Sequence, residues 1–299
     1  MDERILVPLD GSETAEAILP QLHRFLTRHP GEVLLLQVSP RRAPDFHFAV
    51  PGQHEEVTAY IRKRTFELVQ SGIPARGLVR DGSPAEEILK ISQAERVSMI
   101  ALSTHGRTGL SRLVFGSVTE AVLRDSPVPV FLTRAAAFSG LSRGRLEVQP
   151  FHHLLVPVDG SESGSRVLPL LLRVARPIDT RVTLLHIDPS DPYRPHWPSP
   201  AEAIRTAEAA LTEACIPTTV ADRQGEPAAE ILRYAQEKEV DLILMATHGR
   251  SGPARWVLGS VTEAVLRSAP IPMMVIRMGV SLTAQNSAAL EPSASPPPG

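Results

Sequence analysis

The stretch Gly116-Ser-Val-Thr-Glu-Ala-Val-Leu-Arg124 recurs without a single change as Gly259-Ser-Val-Thr-Glu-Ala-Val-Leu-Arg267. The segment Thr104-His-Gly-Arg107 recurs as Thr247-His-Gly-Arg250 at the same offset of 143 residues. Identity at a fixed offset indicates one domain that is present twice. The repeated stretch is a glycine followed by the start of a helix, an element that holds phosphate in many proteins. We therefore expect the function to lie there, in both copies.

The length of the chain fits two domains, because 299 residues divide into halves of about the commonest size for one hydrophobic core. Equivalent positions are 149 residues apart at Asp10 and Asp159 but 143 apart at Gly82 and Gly225. The first half therefore carries six extra residues, which we place in the loop 40–52. The predicted parts are a first domain over residues 1–134, a linker over 135–150, a second domain over 151–279 and a disordered tail, rich in Ser, Ala and Pro, over 280–299.

Composition excludes several classes of partner. The formal net charge of -2 and the pI near 6.6 give no basic field of the kind that nucleic-acid binding needs. Cys215 is the only cysteine, so no disulfide forms within the chain and a reducing compartment is expected. The N-terminus lacks a signal-peptide core, and no apolar run approaches the ~20 residues of a membrane span. These features predict a cytoplasmic protein that binds neither nucleic acid nor membrane.

Each half contains five short apolar runs that are typical of buried strands, separated by segments in which apolar residues recur at helical spacing. Strands buried on both faces that alternate with helices indicate a parallel sheet, because parallel strands need crossover connections. We predict the α/β class, with two tandem, doubly wound, parallel five-stranded sheets of Rossmann-like type. The runs are Ile5–Leu9, Val33–Val38, Ala75–Val79, Val97–Leu102 and Val128–Leu132 in the first half, and Leu154–Val158, Val182–Ile187, Thr218–Ala221, Val240–Met245 and Ile271–Ile276 in the second.

The candidate site follows from this sheet. Ligands of open α/β sheets bind outside the carboxyl ends of the strands, where the winding direction switches. Asp10-Gly-Ser follows the first strand and Thr104-His-Gly follows the fourth, so both reach that edge. The stretch Gly106–Ser117 then offers backbone amides, hydroxyls, arginines and a helix N-terminus. These are the parts of a polyphosphate-binding loop.

At this point the chain resembles the tandem form of the universal stress protein family. The nucleotide-binding branch of that family carries Gly-x2-Gly-x9-Gly-(Ser/Thr) after the fourth strand. Here the first half reads Ser103-Thr-His-Gly106, nine residues, Gly116-Ser117, and the second reads Ala246-Thr-His-Gly249, nine residues, Gly259-Ser260. The spacing matches twice, and the first glycine is replaced in both halves. The resemblance covers nearly the whole chain apart from the linker and the tail.

The resemblance implies an adenine nucleotide alpha hydrolase-like fold that binds ATP with Mg2+. By resemblance, Asp10 and Asp159 would lie near the ribose or the Mg2+ ion, backbone groups at Val38 and Ile187 would meet the adenine, and the glycine segments would hold the phosphates. The implied nucleotide-binding residues are Pro8, Asp10, Val38, Gly106, Arg107, Gly109, Gly116, Ser117, Val118 and Thr119 in the first half, and Pro157, Asp159, Ile187, Gly249, Arg250, Gly252, Gly259, Ser260, Val261 and Thr262 in the second.

Several of these residues have a simpler structural interpretation. Ser117-Val-Thr-Glu120 and Ser260-Val-Thr-Glu263 fit capping boxes, in which each serine serves only its own helix. Asp10 and Asp159 fit Asx turns. Val38 and Ile187 are apolar strand ends, and the arginines fit solvated loop positions. His105 and His248 have no acid partner in the sequence, so neither is assigned a catalytic role.

Three classes of function remain open. The first is a nucleotide-binding stress or regulatory module whose conformation or choice of partner depends on bound ATP. The second is a phosphoryl-transfer enzyme, but the lysines Lys63, Lys90 and Lys238 all lie outside the glycine segments, so at most slow ATP hydrolysis is expected. The third is a ligand-free interaction protein. The duplicated phosphate-binding segment favours the first class.

The fifth strands indicate how the halves associate. Ser126-Pro-Val-Pro-Val130 and Ala269-Pro-Ile-Pro-Met273 place prolines at the start of an apolar strand. Proline is tolerated at a sheet edge, yet the apolar residues that follow should not stay unpaired in water. Two arrangements satisfy this requirement: a pseudo-dimer within one chain, in which the two fifth strands pair, or a homodimer in which they pair between chains.

Overall fold

The computed structural model describes residues 3–39, 53–104, 116–135, 149–160, 162–177, 179–189, 200–247 and 259–277. The predicted tail, most of the predicted linker and both glycine segments, 105–115 and 248–258, lie outside the described residues.

Strands and helices alternate along both halves, as the apolar runs predict. None of the described helices is long and apolar enough to cross a membrane. The strands are β1 (Glu3–Pro8), β2 (Gly31–Ser39), β3 (Ala75–Asp81), β4 (Met99–Thr104), β5 (Val130–Arg134), β6 (His153–Pro157), β7 (Arg181–Asp188), β8 (Thr218–Gln224), β9 (Leu242–Thr247) and β10 (Met273–Arg277). The helices are α1 (Glu13–Glu16), α2 (Ile18–Leu26), α3 (Gln53–Gln70), α4 (Pro84–Ala94), α5 (Ser117–Asp125), α6 (Glu162–Val174), α7 (Ala201–Glu213), α8 (Pro227–Glu237) and α9 (Ser260–Ser268).

The extra length of the first half lies mostly in a helix. At the offset of 143 residues, Ala201, where α7 begins, corresponds to residue 58, whereas α3 begins at Gln53. Five of the six extra residues therefore lengthen the start of α3. The placement of all six in the loop 40–52 was wrong, because the apolar spacing of the helix weakens at its polar start and hides the boundary.

All ten strands belong to one sheet, in the order β3-β2-β1-β4-β5-β10-β9-β6-β7-β8. Within each half every strand pair is parallel, so the predicted α/β class with two doubly wound five-stranded units is confirmed. The two units meet where β5 pairs antiparallel with β10, through Val130 with Val275 and Leu132 with Met273. The fifth strands therefore pair within one chain. Association of separate chains stays a prediction.

Helices cover both faces of the sheet. Side chains alternate along a strand, so Ile5 and Val7 of β1 point to one face, here called the first face, and Leu6 points to the second face. Helices α2, α3, α6 and α7 pack on the first face, and α4, α5, α8 and α9 pack on the second. Each of the two cores runs through both halves without a break. The ring of Phe131 shows this on the first face, since its centroid lies 6.1 Å from those of Phe25 and Phe151.

Two equivalent arginines cross from one half to the other. Arg24 of α2 corresponds to Arg173 of α6 at the offset of 149 residues. Arg24 Nη2 lies 2.7 Å from Oδ1 of Asp241, at the start of β9. Arg173 Nε donates to Oε1 of Glu3, at the start of β1, at 2.9 Å. Each helix therefore anchors its end in the opposite half, and the two halves are held in one arrangement.

The acids that receive these arginines are not at equivalent positions. Asp241 corresponds to Ser98, and Glu3 corresponds to His152. Oδ2 of Asp241 accepts from the backbone N–H of His152 at 3.0 Å, while the hydroxyl of Ser98 donates to Glu3. Burial opposes ionisation of Glu3, but the hydrogen bond and charge of Arg173 and the Ser98 hydroxyl outweigh it, so the pKa of Glu3 lies below its ordinary value.

A buried histidine lies in the same junction. The ring of His29 stacks on Phe25 with centroids 4.2 Å apart. Nη2 of Arg176, from the second half, lies 3.0 Å from His29 Nδ1. An arginine can only donate, so Nδ1 accepts and the ring is neutral. Burial, followed by the positive charge of Arg176, lowers the pKa of His29 to about 4.

Low pH should destabilise the folded chain at this junction. In the unfolded chain His29 takes up a proton near its ordinary pKa of 6.5, whereas in the folded chain it stays neutral until about pH 4. The free energy of unfolding should therefore fall as the pH is lowered from 6.5 to 4, by up to about 3 kcal/mol, and His29→Gln should remove that part of the slope. Urea unfolding at several pH values measures the free energy of unfolding of the wild type and of the variant. Equal slopes would show that His29 takes up no extra proton on unfolding.

Candidate functional site

The first strand of each half ends in a tight turn that carries an aspartate. Oδ1 of Asp10 accepts from the backbone N–H of Ser12 at 2.9 Å and from its hydroxyl at 2.6 Å. Gly11 between them has φ +87°, a conformation that glycine adopts without strain. The Asx turn that the sequence left open for Asp10 is therefore present. Asp10 is exposed, and both contacts use a single carboxylate oxygen.

The same turn starts the following helix. Oγ of Ser12 accepts from the backbone N–H of Ala15 at 3.1 Å, which makes Ser12 the N-cap of α1. In the second half Gly160 has φ +77° after Asp159, so the turn has the same handedness. Ser161, the equivalent of Ser12, lies outside the described residues. Both aspartates are thus held at the carboxyl end of the first strand of their half.

The repeated helix starts are not capping boxes. Gly116 and Gly259 are the N-cap residues, with extended backbone, and Ser117 and Ser260 are the first helical residues. Neither of these described helix starts has a side-chain cap hydrogen bond. The interpretation of both serines as caps of their own helices was wrong, because a side chain at the first helical position is one residue too late to serve the helix amides.

An uncapped helix start leaves donors available. The first N–H groups of a helix have no acceptor inside the helix. In α5 these are the amides of Ser117, Val118 and Thr119, and in α9 those of Ser260, Val261 and Thr262. Oγ1 of Thr262 donates to the carbonyl of Ala246 at 3.2 Å, so this side chain ties the first turn of α9 to the end of β9. At the start of α9, the groups available to a ligand are therefore the main-chain amides rather than the threonine hydroxyl.

The second strand of each half extends past the end of the first strand. Leu36 O accepts from Leu9 N at 2.8 Å, the last backbone contact of β2 on the side of β1. Backbone groups of successive strand residues point to alternate sides, so those of Val38 point to the same side as Leu36, beyond the end of β1. The side chain of Val38 packs against the core of the second face. Ile187 repeats this position, since Leu185 O accepts from Val158 N at 2.8 Å.

Sequence reasoning missed an arginine in each half. Arg134 is the last residue of β5 and pairs in register with Thr104, where the first glycine segment begins. Arg277 ends β10 and pairs with Thr247 in the same way. Nη1 of Arg277 also donates to the carbonyl of Arg124, near the end of α5 in the other half, at 3.2 Å. The alternation of side chains along the fifth strand does not indicate that these arginines lie beside the carboxyl end of the fourth strand.

Six of the predicted site residues belong to the glycine segments. Gly106, Arg107, Gly109, Gly249, Arg250 and Gly252 lie outside the described residues, as do His105 and His248. Among the residues that the structure describes, no group of three or more His, Cys, Asp or Glu side chains could hold a metal ion. Pro8 and Pro157 end β1 and β6 and bring the chain to the aspartate turns.

The fold does not require a glycine at position 116. A methyl group added to Gly116 would meet no atom of the described residues within 4 Å, whereas one added to Gly31 would overlap the carbonyl oxygen of Glu3. We expect Gly116→Ala to change the free energy of unfolding by less than about 1 kcal/mol, and Gly31→Ala to cost about 2 kcal/mol or more. Chemical denaturation of both variants tests this. A large loss for Gly116→Ala would make this glycine structural.

Known proteins resemble both halves of the chain. The sequence profile of the universal stress protein family matches residues 1–134 and 150–277. A universal stress protein of Methanocaldococcus jannaschii is 30% identical over 155 residues, which is 45% of this chain and 96% of that protein. The crystal structure of a universal stress protein from Archaeoglobus fulgidus, at 25% identity, covers 92% of this chain and 98% of its own with a TM-score of 0.74.

A ligand is known for one solved member of the family. The crystal structure of a universal stress protein in complex with cAMP covers 42% of this chain and 96% of its own, at 21% identity and a TM-score of 0.34. With its profile matched over both halves and a relative of like length and fold, the chain belongs to the universal stress protein family, in a form with two tandem domains.

Proposed function

We propose that the protein is a cytoplasmic, ATP-binding universal stress protein that binds one adenine nucleotide in each half and acts as a stress-response or regulatory module. The observation that carries this proposal is the pair of identical helix starts at α5 and α9. Each lacks a side-chain cap and follows the fourth strand of its half. A helix start with free amides and a positive dipole end attracts phosphate.

The remaining parts of each site suit the rest of a nucleotide. The backbone of Val38 or Ile187, open beyond the end of the first strand, would hydrogen-bond the edge of the adenine. The aspartate turn at Asp10 or Asp159 would face the ribose or an ion on the phosphates. Arg134 and Arg277 add positive charge at the same edge of the sheet. The glycine segments, as the family motif implies, would surround the phosphates.

Mg2+ fits this arrangement as a companion of the triphosphate. Mg2+ keeps several waters and is usually bound by one or two carboxylates together with phosphate oxygens. Asp10 supplies one carboxylate, of which the Asx turn uses one oxygen. The residues suit an ion that arrives with ATP, and they do not form a dedicated metal site of their own.

Two alternatives have weaker support. The ligand-free interpretation rests on the replacement of the first motif glycine by Ser103 and Ala246. Both replacements are small side chains, so they leave the backbone at this position close to the ligand space. An ATPase needs a group that stabilises the transferred phosphoryl, typically a lysine of the phosphate loop, and the glycine segments contain none. Hydrolysis, if it occurs, should be slow.

Titration calorimetry should give two ATP sites per chain. Gly116→Asp and Gly259→Asp should each remove one site, because a carboxylate beside the phosphates repels them where the helix end should attract, a change on the order of 1 kcal/mol before the steric clash is counted. Circular dichroism should show an intact fold, since a Cβ atom added at position 116 meets no described atom within 4 Å.

Gly116→Ala serves as the control for size without charge, and it should weaken binding less than Gly116→Asp. No binding of adenine nucleotide at millimolar concentration to the nucleotide-free wild type would refute the proposal. An unchanged stoichiometry in both aspartate variants would place the phosphates elsewhere.

Bound nucleotide should stabilise the fold. Ligand at about 100 times its Kd adds roughly 2.7 kcal/mol per site, which corresponds to a rise in melting temperature of about 5 to 10 °C for domains of this size. ATP and a non-hydrolysable analogue should give similar shifts if the protein binds without turnover. Rapid turnover that Asp10→Asn and Asp159→Asn abolish would contradict the assignment as a binding module.

A further inference from the structure

One row of residues crosses the first face of the sheet at the carboxyl ends of the strands in the first half. It runs from Gln37 in β2 past Leu9 to Ser103 in β4 and Thr133 in β5, with Ser103 and Thr133 paired in register. These residues share the first face because each stands two positions after a residue whose side chain belongs to its core, namely Leu35, Val7, Ala101 and Phe131. The row lies at the same edge as the aspartate turn and the start of α5.

Three polar atoms in this row are buried without a hydrogen bond. They are Oε1 of Gln37, Oγ of Ser103 and Oγ1 of Thr133, none of which has a partner among the described residues. Thr133 is only 2% exposed. Buried polar atoms without a partner are rare and costly in folded proteins. Three in one row, at the edge where ligands of such sheets bind, point to a ligand rather than to imperfect packing.

The second half does not repeat this row. The equivalent of Gln37 is His186, whose Nδ1 lies 3.2 Å from the carbonyl of Val158. The equivalents of Ser103 and Thr133 are Ala246 and Ile276, which pair in register and pack in the apolar core. Substitution of two apolar side chains by two hydroxyls therefore distinguishes the halves at the same point of the fold.

We propose that the first half binds a neutral hydrogen-bond donor, an O–H or N–H group, along the row Gln37–Ser103–Thr133, and that the second half binds none there. A donor is required because Oε1 of Gln37 can only accept. A neutral group is required because the row lies over apolar core, and Arg134, the next residue after Thr133, points to the opposite face. The donor is a hydroxyl or amine of the bound nucleotide or an ordered water. The first source rests on the proposed function.

The two halves are then different ligand sites. Their helix starts are identical and would bind phosphates equally. Only the first half would form hydrogen bonds with the neutral part of a ligand at this row. A site with polar groups that need a partner rejects analogues that lack the matching donor. At this row the first half should therefore be the more selective of the two.

Stability without nucleotide is the first test. Where the nucleotide is the source of the donor, Ser103→Ala and Thr133→Val remove buried groups that lack a partner, so they should raise the melting temperature of the nucleotide-free protein, by roughly 2 °C. Thr183→Val is the matched control. Thr183 is buried to a similar extent, but its Oγ1 lies 2.9 Å from His153 Nε2, so its loss should lower the melting temperature.

Ligand discrimination is the second test. In a Gly259→Asp background, which leaves the first site, ATP is compared with its 2′-deoxy and 3′-deoxy forms and with the analogue that lacks the 6-amine. One analogue should bind at least about tenfold more weakly than ATP. Ser103→Ala with Thr133→Val should weaken ATP by the same factor and leave that analogue unaffected. Ala246→Ser with Ile276→Thr should create the same discrimination in the second site.

Together the two tests distinguish nucleotide from water as the source of the donor. They also distinguish failure of this inference from failure of the proposed function. If water is the source, the hydroxyl variants lower the melting temperature, leave ATP affinity unchanged, and a high-resolution crystal structure shows a water bonded to at least two of the three atoms. A rise in melting temperature with unchanged affinity for every nucleotide overturns the proposal, because the row then binds nothing. A fall without an ordered water overturns it too. If wild-type protein binds no nucleotide, the proposed function fails, and the melting and crystallographic results alone decide this inference.

Discussion

The antiparallel pairing of β5 with β10 is the contact on which the rest of the molecule depends. Val130–Leu132 and Met273–Val275 are buried apolar strands, and in an isolated half each would form an open edge with unpaired backbone and exposed side chains. Pro129 and Pro272 immediately precede them and still offer their carbonyls to the fourth strand of the same half. The pairing closes both edges at once, and it also makes each core continuous through Phe131 and its neighbours on one face and Val130 and Met273 on the other.

The junction shows how a duplicated domain keeps an interaction while changing the residues that make it. Arg24 and Arg173 remain equivalent, yet one finds its acid at the start of β9 and the other at the start of β1. The constraint is the charge of a partly buried guanidinium, which favours a nearby carboxylate but does not fix which strand supplies it. His29 and Arg176 add a contact that is present on one side only, since Ile178 and Thr27 occupy the equivalent positions. The two halves thus share one strand order, while the side chains of the junction differ between them.

The sequence predicts the backbone far better than the side chains of the site. Runs such as Val33–Val38 identify strands because a strand that is buried on both faces is continuously apolar. The sequence Asp10-Gly-Ser12 identifies the glycine turn. The capping of α5 could not be assigned correctly, because a serine after a glycine fits both the N-cap and the first helical position, and only backbone angles separate them. Arg134 and the row with Ser103 and Thr133 escaped notice because cross-strand neighbours 30 residues apart are adjacent only once the strand order and register are known.

The continuous cores couple the stability of the two halves, which contain different candidate ligand sites. Stabilisation of one part of a fold reaches another only where the two unfold together. Here the first face is a single apolar core from α2 to α7, and the crossing arginines tie each helix end to the opposite half. A ligand that hydrogen-bonds along the row Gln37–Ser103–Thr133 would stabilise the first half, and through this shared core it would also oppose separation of the second half. Occupancy of the more selective site would then set the stability of the whole chain, which is a physical route by which a two-domain protein could report on a ligand without catalysing any reaction.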